Sequence, residues 1–411
     1  MRDKSLRVIW TLTGCTALAL LGDATLYAVL PTSYAAVGVT AMQVGWLLSI
    51  NRLARIPINL LSGRLCARWG ARWPYIIGVG VGALSTAGYA LSTGFAPLLA
   101  LRALWGVSWA LLVVAANTLV LQVSTAANRG RNSGIYTPYS FFGGALGAVL
   151  GGVLVDQLGF HPAMAILGAL TGVGCVLALT LPHIDPPTRT RPTRTFSWSD
   201  LRGLDRRLVL VLATIFVHRL FFAGVFYATF GYYLKSRLPD GVALGTLVLG
   251  GATLTSVLLW AKDLVTVTAG PTLGRLSDRL QDRPLVLVLS LGCGVTGLLL
   301  LAITGHIVPV LISVALVAVA YGMLPPLLVA WVGDITIAER RSSVLGVFQA
   351  IGDLGSGLGP LFAYRLVESI DIGVVYAACA ALLVTLAPPI LRARHSLPLL
   401  SPSDLRCDSG R

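Results

Sequence analysis

Nine ionisable side chains fall inside long apolar runs of this chain: Asp23, Arg52, Arg55, Arg102, His218, Arg219, Lys262, Asp263 and Asp353. A charge in hydrocarbon costs about 2.5–3.5 kcal/mol even on forgiving insertion scales, so each of these groups needs a partner or a wet cavity. Carboxylates mixed with cations suit two kinds of chemistry. One is proton exchange, because a carboxylate whose neighbouring arginine comes and goes can load and release a proton. The other is the holding of a charged ligand. His218 could titrate near neutrality, but it stands beside Arg219 near one end of its run and reads as a packing residue.

The elements that must position these groups are membrane helices. Of 411 residues, 55% are hydrophobic and only 12% charged, too little polar surface for a soluble protein of this length. Windows long enough to cross a bilayer as a helix recur at 8–30, 42–62, 74–94, 96–119, 133–155, 162–182, 207–234, 243–269, 284–304, 307–331, 343–366 and 371–391. The first is too long for a cleaved leader, and no small-residue cleavage site precedes a soluble domain, so it is taken as a membrane helix.

The net charge of +14 reports orientation rather than a polyanionic partner. On the side where odd spans lead into even ones, only Lys235, Arg237 and Arg365 (the last at the very end of span 11) are basic. The remaining Lys and Arg outside the spans sit at the termini or in the alternate loops, which the positive-inside rule assigns to the cytoplasm together with both termini. Nucleic acid is not an expected partner. The cysteines (Cys15, Cys66, Cys175, Cys293, Cys379, Cys407) lack metal-ligand or CxxC spacing and read as small apolar side chains. No GxxxxGK[ST] or HExxH pattern is present, so neither ATP-driven pumping nor zinc proteolysis within this chain is expected, and the chain reads as no enzyme.

The spans divide six and six. Residues 183–207, rich in Pro, Thr and Arg, read as a cytoplasmic linker between a bundle at 1–182 and a second at 208–391, with a cytoplasmic tail at 392–411. The halves echo each other. GRLCARWGAR from Gly63 to Arg72 returns as GRLSDRLQDR from Gly274 to Arg283, 211 positions on. Gly134, Gly143 and Gly147 return 212 positions on as Gly346, Gly355 and Gly359, with Arg129 and Arg341 before them at the same offset. Two motifs at nearly one offset imply duplication of a six-helix unit, a known transporter plan.

Gly143, Gly147 and Gly151 recur every four residues on one helix face, where they allow close packing against a neighbour such as span 8 or its counterpart. Gly355, Gly359 and Pro360 repeat the device in span 11, and Pro360 can bend that helix where Ala148 leaves span 5 straighter.

These residues resemble the major facilitator superfamily. GRLCARWGAR is similar to the G-x-L-x-D-R-x-G-R-[RK] loop of that family, and its echo occupies the matching loop of the second half. LRALWG (Leu101–Gly106) resembles the R-x-x-Q-G motif of the family's drug:proton antiporters with Trp105 in place of Gln. The glycine series from Gly134 through Gly143, Gly147 and Ala148 to Gly151 and Gly152 resembles the same group's antiporter motif, and LGDATLYAVLP (Leu21–Pro31) the end of its first helix.

The resemblance implies an all-α integral membrane protein of twelve transmembrane helices in two pseudo-twofold six-helix bundles, the major facilitator fold. It implies that spans 1, 4, 7 and 10 line a central cavity, which makes Asp23 and Arg102 a proton-coupling pair or a static ion pair joining helices. Arg52 and Asp263, equivalent under the 211 offset, become partners across the halves in one access state, with Arg55 and Lys262 in the same network. If they face the cavity instead, the cations favour an anionic substrate. Arg219 and Asp353 complete the charged set, and Tyr27, Trp105, Tyr227 and Tyr321, with Trp109, Tyr136 and Phe226, form either an aromatic cavity wall or interfacial anchors.

The loops carrying Gly63, Arg64, Arg68 and Arg72, and Gly274, Arg275, Asp278 and Arg279, are gating loops by resemblance and topology signals by charge. The first has Ala67 where the family has an acid, so a charge-based latch is expected only on Asp278 with Arg275 or Arg279.

The expected function is secondary active transport by alternating access: proton-coupled efflux of a small amphipathic molecule, driven by a proton gradient without a bound cofactor. The alternatives are an importer or lipid translocator for an anionic substrate, or a non-transporting membrane receptor. The setting is a bacterial-type plasma membrane, crossed many times by a monomer whose partners are lipid, substrate and protons.

Overall fold

The computed structural model describes residues 2–125, 129–182, 205–239, 242–244, 247–280, 282–336 and 338–394. Twelve long helices account for nearly all of them. The first half contains α1 (Arg2–Ser33), α2 (Ala41–Trp69), α3 (Arg72–Leu91), α4 (Phe95–Gln122), α5 (Arg129–Leu158) and α6 (Phe160–Leu179). The second contains α7 (Arg206–Arg237), α8 (Gly251–Leu280), α9 (Arg283–Ile303), α10 (Ile307–Ile335), α11 (Ala338–Val367) and α12 (Ile372–Ala393).

Among the described residues, nine of these helices are long and apolar enough to cross a membrane. The others, α2, α8 and α11, carry Arg52, Arg55, Lys262, Asp263 and Asp353. The linker (183–204) and the tail beyond 394 lie outside the described residues.

Local signals set the helix ends. Thr40 and Gln43 form a reciprocal capping box that starts α2, at 2.9 and 3.3 Å. Gly159 alone separates α5 from α6, and its φ of +86° is a conformation that side chains resist.

Two features depart from the sequence expectation. Span 8 starts at Gly251 rather than 243, because Val242–Leu244 and Leu247–Leu249 pair as an antiparallel hairpin between α7 and α8. Short apolar runs punctuated by glycines, here Gly241, Gly245 and Gly250, suit either structure, and periodicity cannot separate them. The second departure is in α7, whose middle, Arg219–Phe226, widens to a π-helix.

The two halves repeat one packing plan. α1 lies on α5 as α7 lies on α11, α2 on α4 as α8 on α10, and α3 joins α4 and α6 as α9 joins α10 and α12. Between halves, α2 packs on α11 and α5 on α8, and the pseudo-twofold exchanges these two seams. A shared register marks that exchange. A Cβ on Gly152 would strike Ser256 and the Ala252 carbonyl, and a Cβ on Gly45 would strike the Pro360 carbonyl and Tyr364.

The glycine series serves a different neighbour from the one expected. Gly143, Gly147 and Gly151 meet Ala17, Leu21 and Thr25 of α1, a ladder stepping by four on both helices. Gly355 and Gly359 meet Phe216, Leu220 and Gly224 of α7. α1 and α7 win over α8 because the every-four face points into the glycine's own half, while Gly152, one residue round, faces α8. Thr25 seals the first ladder by donating to the Gly147 carbonyl at 3.1 Å. Pro360 sits inside an unbroken α11.

The described hydrogen bonds that cross between halves lie at the end opposite the termini. Lys235 Nζ donates to the Thr32 carbonyl at 2.6 Å, the Thr253 amide donates to Asp156 at 2.8 Å, and Arg365 reaches Met42 Sδ at 3.6 Å. Asp156, on α5, thereby caps the start of α8 across the seam, where a carboxylate also meets the positive end of the helix dipole.

The ladder sets a packing prediction. Gly359→Val places a side chain against Gly224 and the Leu220 carbonyl and should destabilise the protein by roughly 1–3 kcal/mol, the usual scale of overpacking. Gly172→Ala, with nothing within 4 Å of its Cβ, should leave the thermal unfolding midpoint in detergent unchanged. Equal midpoints for the two variants would refute the ladder.

Candidate functional site

Asp23 and Tyr27 stand one turn apart on α1 and share a face. Asn51, Arg52 and Arg55 come from the middle of α2, and Arg102, Trp105 and Trp109 from one face of α4. These residues form one connected group. Arg102 Nη1 meets Asp23 Oδ1 at 2.5 Å, with side chains 1% and 10% exposed. The same Oδ1 accepts Asn51 Nδ2 at 2.8 Å, and Arg102 Nε donates to the Leu47 carbonyl at 3.0 Å. Asn51 uses its other end to accept Arg55 Nε and Nη2 at 3.2 and 2.8 Å.

Both described donors to Asp23 therefore use one oxygen, and none reaches Oδ2. That leaves a lone pair in a buried ion pair free for a proton. The guanidiniums of Arg52 and Arg102 each lie 5.2 Å from the Tyr27 ring centre, and Arg52 Nε donates to the Tyr27 hydroxyl at 3.0 Å. Arg55 lies over Trp105 and Trp109, which stack at 5.7 Å.

The second half contributes Lys262 and Asp263 from α8, paired at 2.5 Å. The Lys262 ammonium, 1% exposed, lies 4.0 Å from the Tyr321 ring and 5.3 Å from the Tyr227 ring. Tyr227 follows the π-helical segment directly, and its ring meets that of Tyr27 at 5.2 Å. The Tyr27–Tyr227 contact joins the two charged groups across the halves.

Several sequence expectations resolve here. Asp23 and Arg102 are brought together, as are Tyr27 and Tyr227; Tyr321 stands beyond Lys262, and Trp105 pairs with Trp109 under Arg55. Arg52 and Asp263 are not joined: each has a nearer partner, the Tyr27 hydroxyl for Arg52 and the adjacent Lys262 for Asp263. Asp353 accepts from Gln349 on its own helix at 3.3 Å, and Arg219 packs beside Gly352 with its Nε buried and unpartnered.

Gly63, Arg64 and Arg68 occupy the exposed end of α2, and Arg279 is exposed at the end of α8. Arg72 binds the Leu179 carbonyl at 2.9 Å and so ties α3 to α6 within one half. The surroundings of Gly274 and the side chains of Arg275 and Asp278 lie outside the described residues, and with them the expected latch.

Sequence reading missed Asn51 and Asp156. An amide in an apolar run is the same kind of signal as a charge and could have found Asn51. Asp156, at the end of its span, reads as ordinary loop polarity.

Two pseudo-symmetric six-helix halves enclosing a charged, aromatic site at mid-bundle define a multi-pass membrane protein of transporter architecture. A family model described as Major Facilitator Superfamily matches residues 12–265 and 250–403. The chain belongs to that superfamily. Its fold is similar to that of the nucleoside transporter NupG, with a TM-score of 0.75 at 19% identity over 95% of this chain and 100% of that one. A protein of Mycobacterium tuberculosis called an uncharacterized MFS-type transporter is 30% identical over 166 residues, 39% of this chain and 29% of that protein. An uncharacterized protein of Mycobacterium bovis is 25% identical over 90% of this chain and 88% of its own length.

The buried pair sets a stability prediction. Arg102→Met strands the Asp23 carboxylate and should cost roughly 3–5 kcal/mol, and adding Asp23→Leu should return most of it. Thermal unfolding of the two single variants and the double variant measures the coupling. Additive losses would show that the two side chains do not act as a pair.

Proposed function

We propose that this protein is a proton-coupled secondary transporter that exports a small amphipathic molecule by alternating access. The halves at 1–182 and 208–391 rock about the site between them, in a bacterial-type plasma membrane with both termini cytoplasmic. The observation that carries the reading is the buried Asp23–Arg102 pair with its open carboxylate oxygen, placed where α4 meets α1 and α2, the helices that pack on the other half.

In this reading Asp23 is the proton carrier. Arg102 and Asn51 hold its Oδ1, and a proton taken up at Oδ2 loosens the guanidinium. Arg102, still held at Nε by the Leu47 carbonyl, is then free to turn its Nη groups toward a substrate. Ion pairs of this kind are strong only while intact, so exchange of partners is a natural two-state element. The contacts at the end opposite the termini, with Asp156 capping α8, support a state closed on the outside. The likeness of LRALWG and the span 5 glycines to drug:proton antiporters supports efflux over uptake.

Proteoliposomes given an imposed pH gradient and a panel of amphipathic compounds test this. Wild-type protein should move at least one compound against the direction of proton flow, and Asp23→Asn should retain exchange without the gradient while losing the response to it. Gradient-driven transport that survives in Asp23→Asn removes Asp23 from the mechanism. Flux in the same direction as protons makes the protein an importer.

The outer closure makes a separate prediction. Asp156→Ala removes the cap on α8 and should raise thiol labelling of a cysteine introduced at Thr253 several-fold. Unchanged labelling would mean that Asp156 does not hold this end shut.

A further inference from the structure

The charges at the site do not balance locally. Asp23 is committed to Arg102 and Asp263 to Lys262, while Arg52 and Arg55 have only neutral partners, the Tyr27 hydroxyl and the Asn51 amide oxygen. Among the described residues no carboxylate lies within ion-pair distance of either guanidinium; Asp23 and Asp353 act on Arg55 from further away. The two arginines stand three residues apart on α2, on one face, where like charges repel. No described acceptor reaches Nη1 or Nη2 of Arg52, or Nη1 of Arg55. Two part-buried cations side by side at mid-bundle are costly to keep unless something negative completes them.

The geometry points to that missing partner: the transported molecule is an organic anion with a flat apolar body, its carboxylate or phosphate held between the Arg52 and Arg55 guanidiniums. The guanidinium fork matches both anions, which it can grip with two parallel hydrogen bonds. The apolar body fits the part-buried Tyr227 and Tyr321 rings across the seam, both held by the Lys262 ammonium, since Tyr27 itself is 3% exposed with the Arg52 and Arg102 guanidiniums at its ring. Rings in offset or edge-on contact accept another aromatic face readily. Tyr27 and Asn51 hold the arginines by Nε and one edge, which leaves the remaining N–H groups toward the ligand. This inference rests on the transport reading and narrows its cargo from amphipathic to anionic.

Three probes sharing one ring system test it on the purified full-length protein: 2-naphthoate, 2-naphthalenemethanol and 2-naphthylmethylammonium, titrated calorimetrically in detergent. Naphthoate should bind at least about tenfold more tightly than the alcohol, the scale of one charge-assisted hydrogen bond. The ammonium should bind most weakly. Arg52→Gln and Arg55→Gln should each weaken naphthoate about tenfold without changing the alcohol, and Arg→Lys at either position should keep the preference for the anion. The wild-type ranking stands without any variant, so a misfolded mutant does not blunt the test. Equal binding of the three probes, or a preference for the ammonium, overturns the inference.

Competition by 1-oleoyl-lysophosphatidate separates the two sources of the anion. Displacement of naphthoate at equal concentration assigns the site to a lipid headgroup, and failure to displace it assigns the site to a soluble anion. A protein that exchanges the alcohol or the ammonium across vesicles, yet shows no preference for naphthoate, keeps the transport reading and loses this one.

Discussion

A charge cannot face hydrocarbon without a partner, and this constraint organises the molecule. Arg102 is 1% exposed and finds its counter-charge on α1 and a carbonyl on α2, so three helices must converge on one point. Lys262 does the same work in the other half with Asp263 and two tyrosine rings. Helices that carry such groups stand inside or along the seam, and the uniformly apolar ones are left to meet lipid. The bundle's inside and outside follow from where its charges can be satisfied.

Close packing supplies the second half of the design. A charged centre between helices stays dry and fixed only if its supports are rigid, and the glycine ladders bring α1 against α5 and α7 against α11 at backbone distance. Rigid halves with a polar, lightly bonded seam are what a rocking mechanism needs. Among the described residues the hydrogen bonds across the seam gather at one end, while each half is packed along its length.

The fold was legible in the sequence because its signals are long and redundant: runs of about 20 apolar residues, basic loops on alternate sides and two motifs at nearly one offset. The site was legible only in part. Asp23 and Arg102 stood out as charges in apolar runs. Their linker Asn51 carries no charge, and the commitments of Arg52 and Asp263 depend on side-chain reach, which position in a repeat does not encode. The hairpin at 242–249 was hidden because a short apolar run between glycines has no decisive period, and the neighbour of the glycine ladder because one residue of rotation separates the α1 face from the α8 face.

The π-helical stretch in α7 has a consequence for how this chain tolerates insertions and deletions. A π turn houses an extra residue, and the residues beyond it are set by that excess. Deleting a single residue from Arg219–Phe226 would let the turn tighten to α geometry with the residues beyond it held near their present phase, whereas the same loss from a regular α-helix turns everything after it by about 100°. Tyr227 would keep its place beside Tyr27, and Lys235 its reach to the Thr32 carbonyl. A one-codon loss in this stretch would thus be absorbed, while a helix without such a turn has no slack to give.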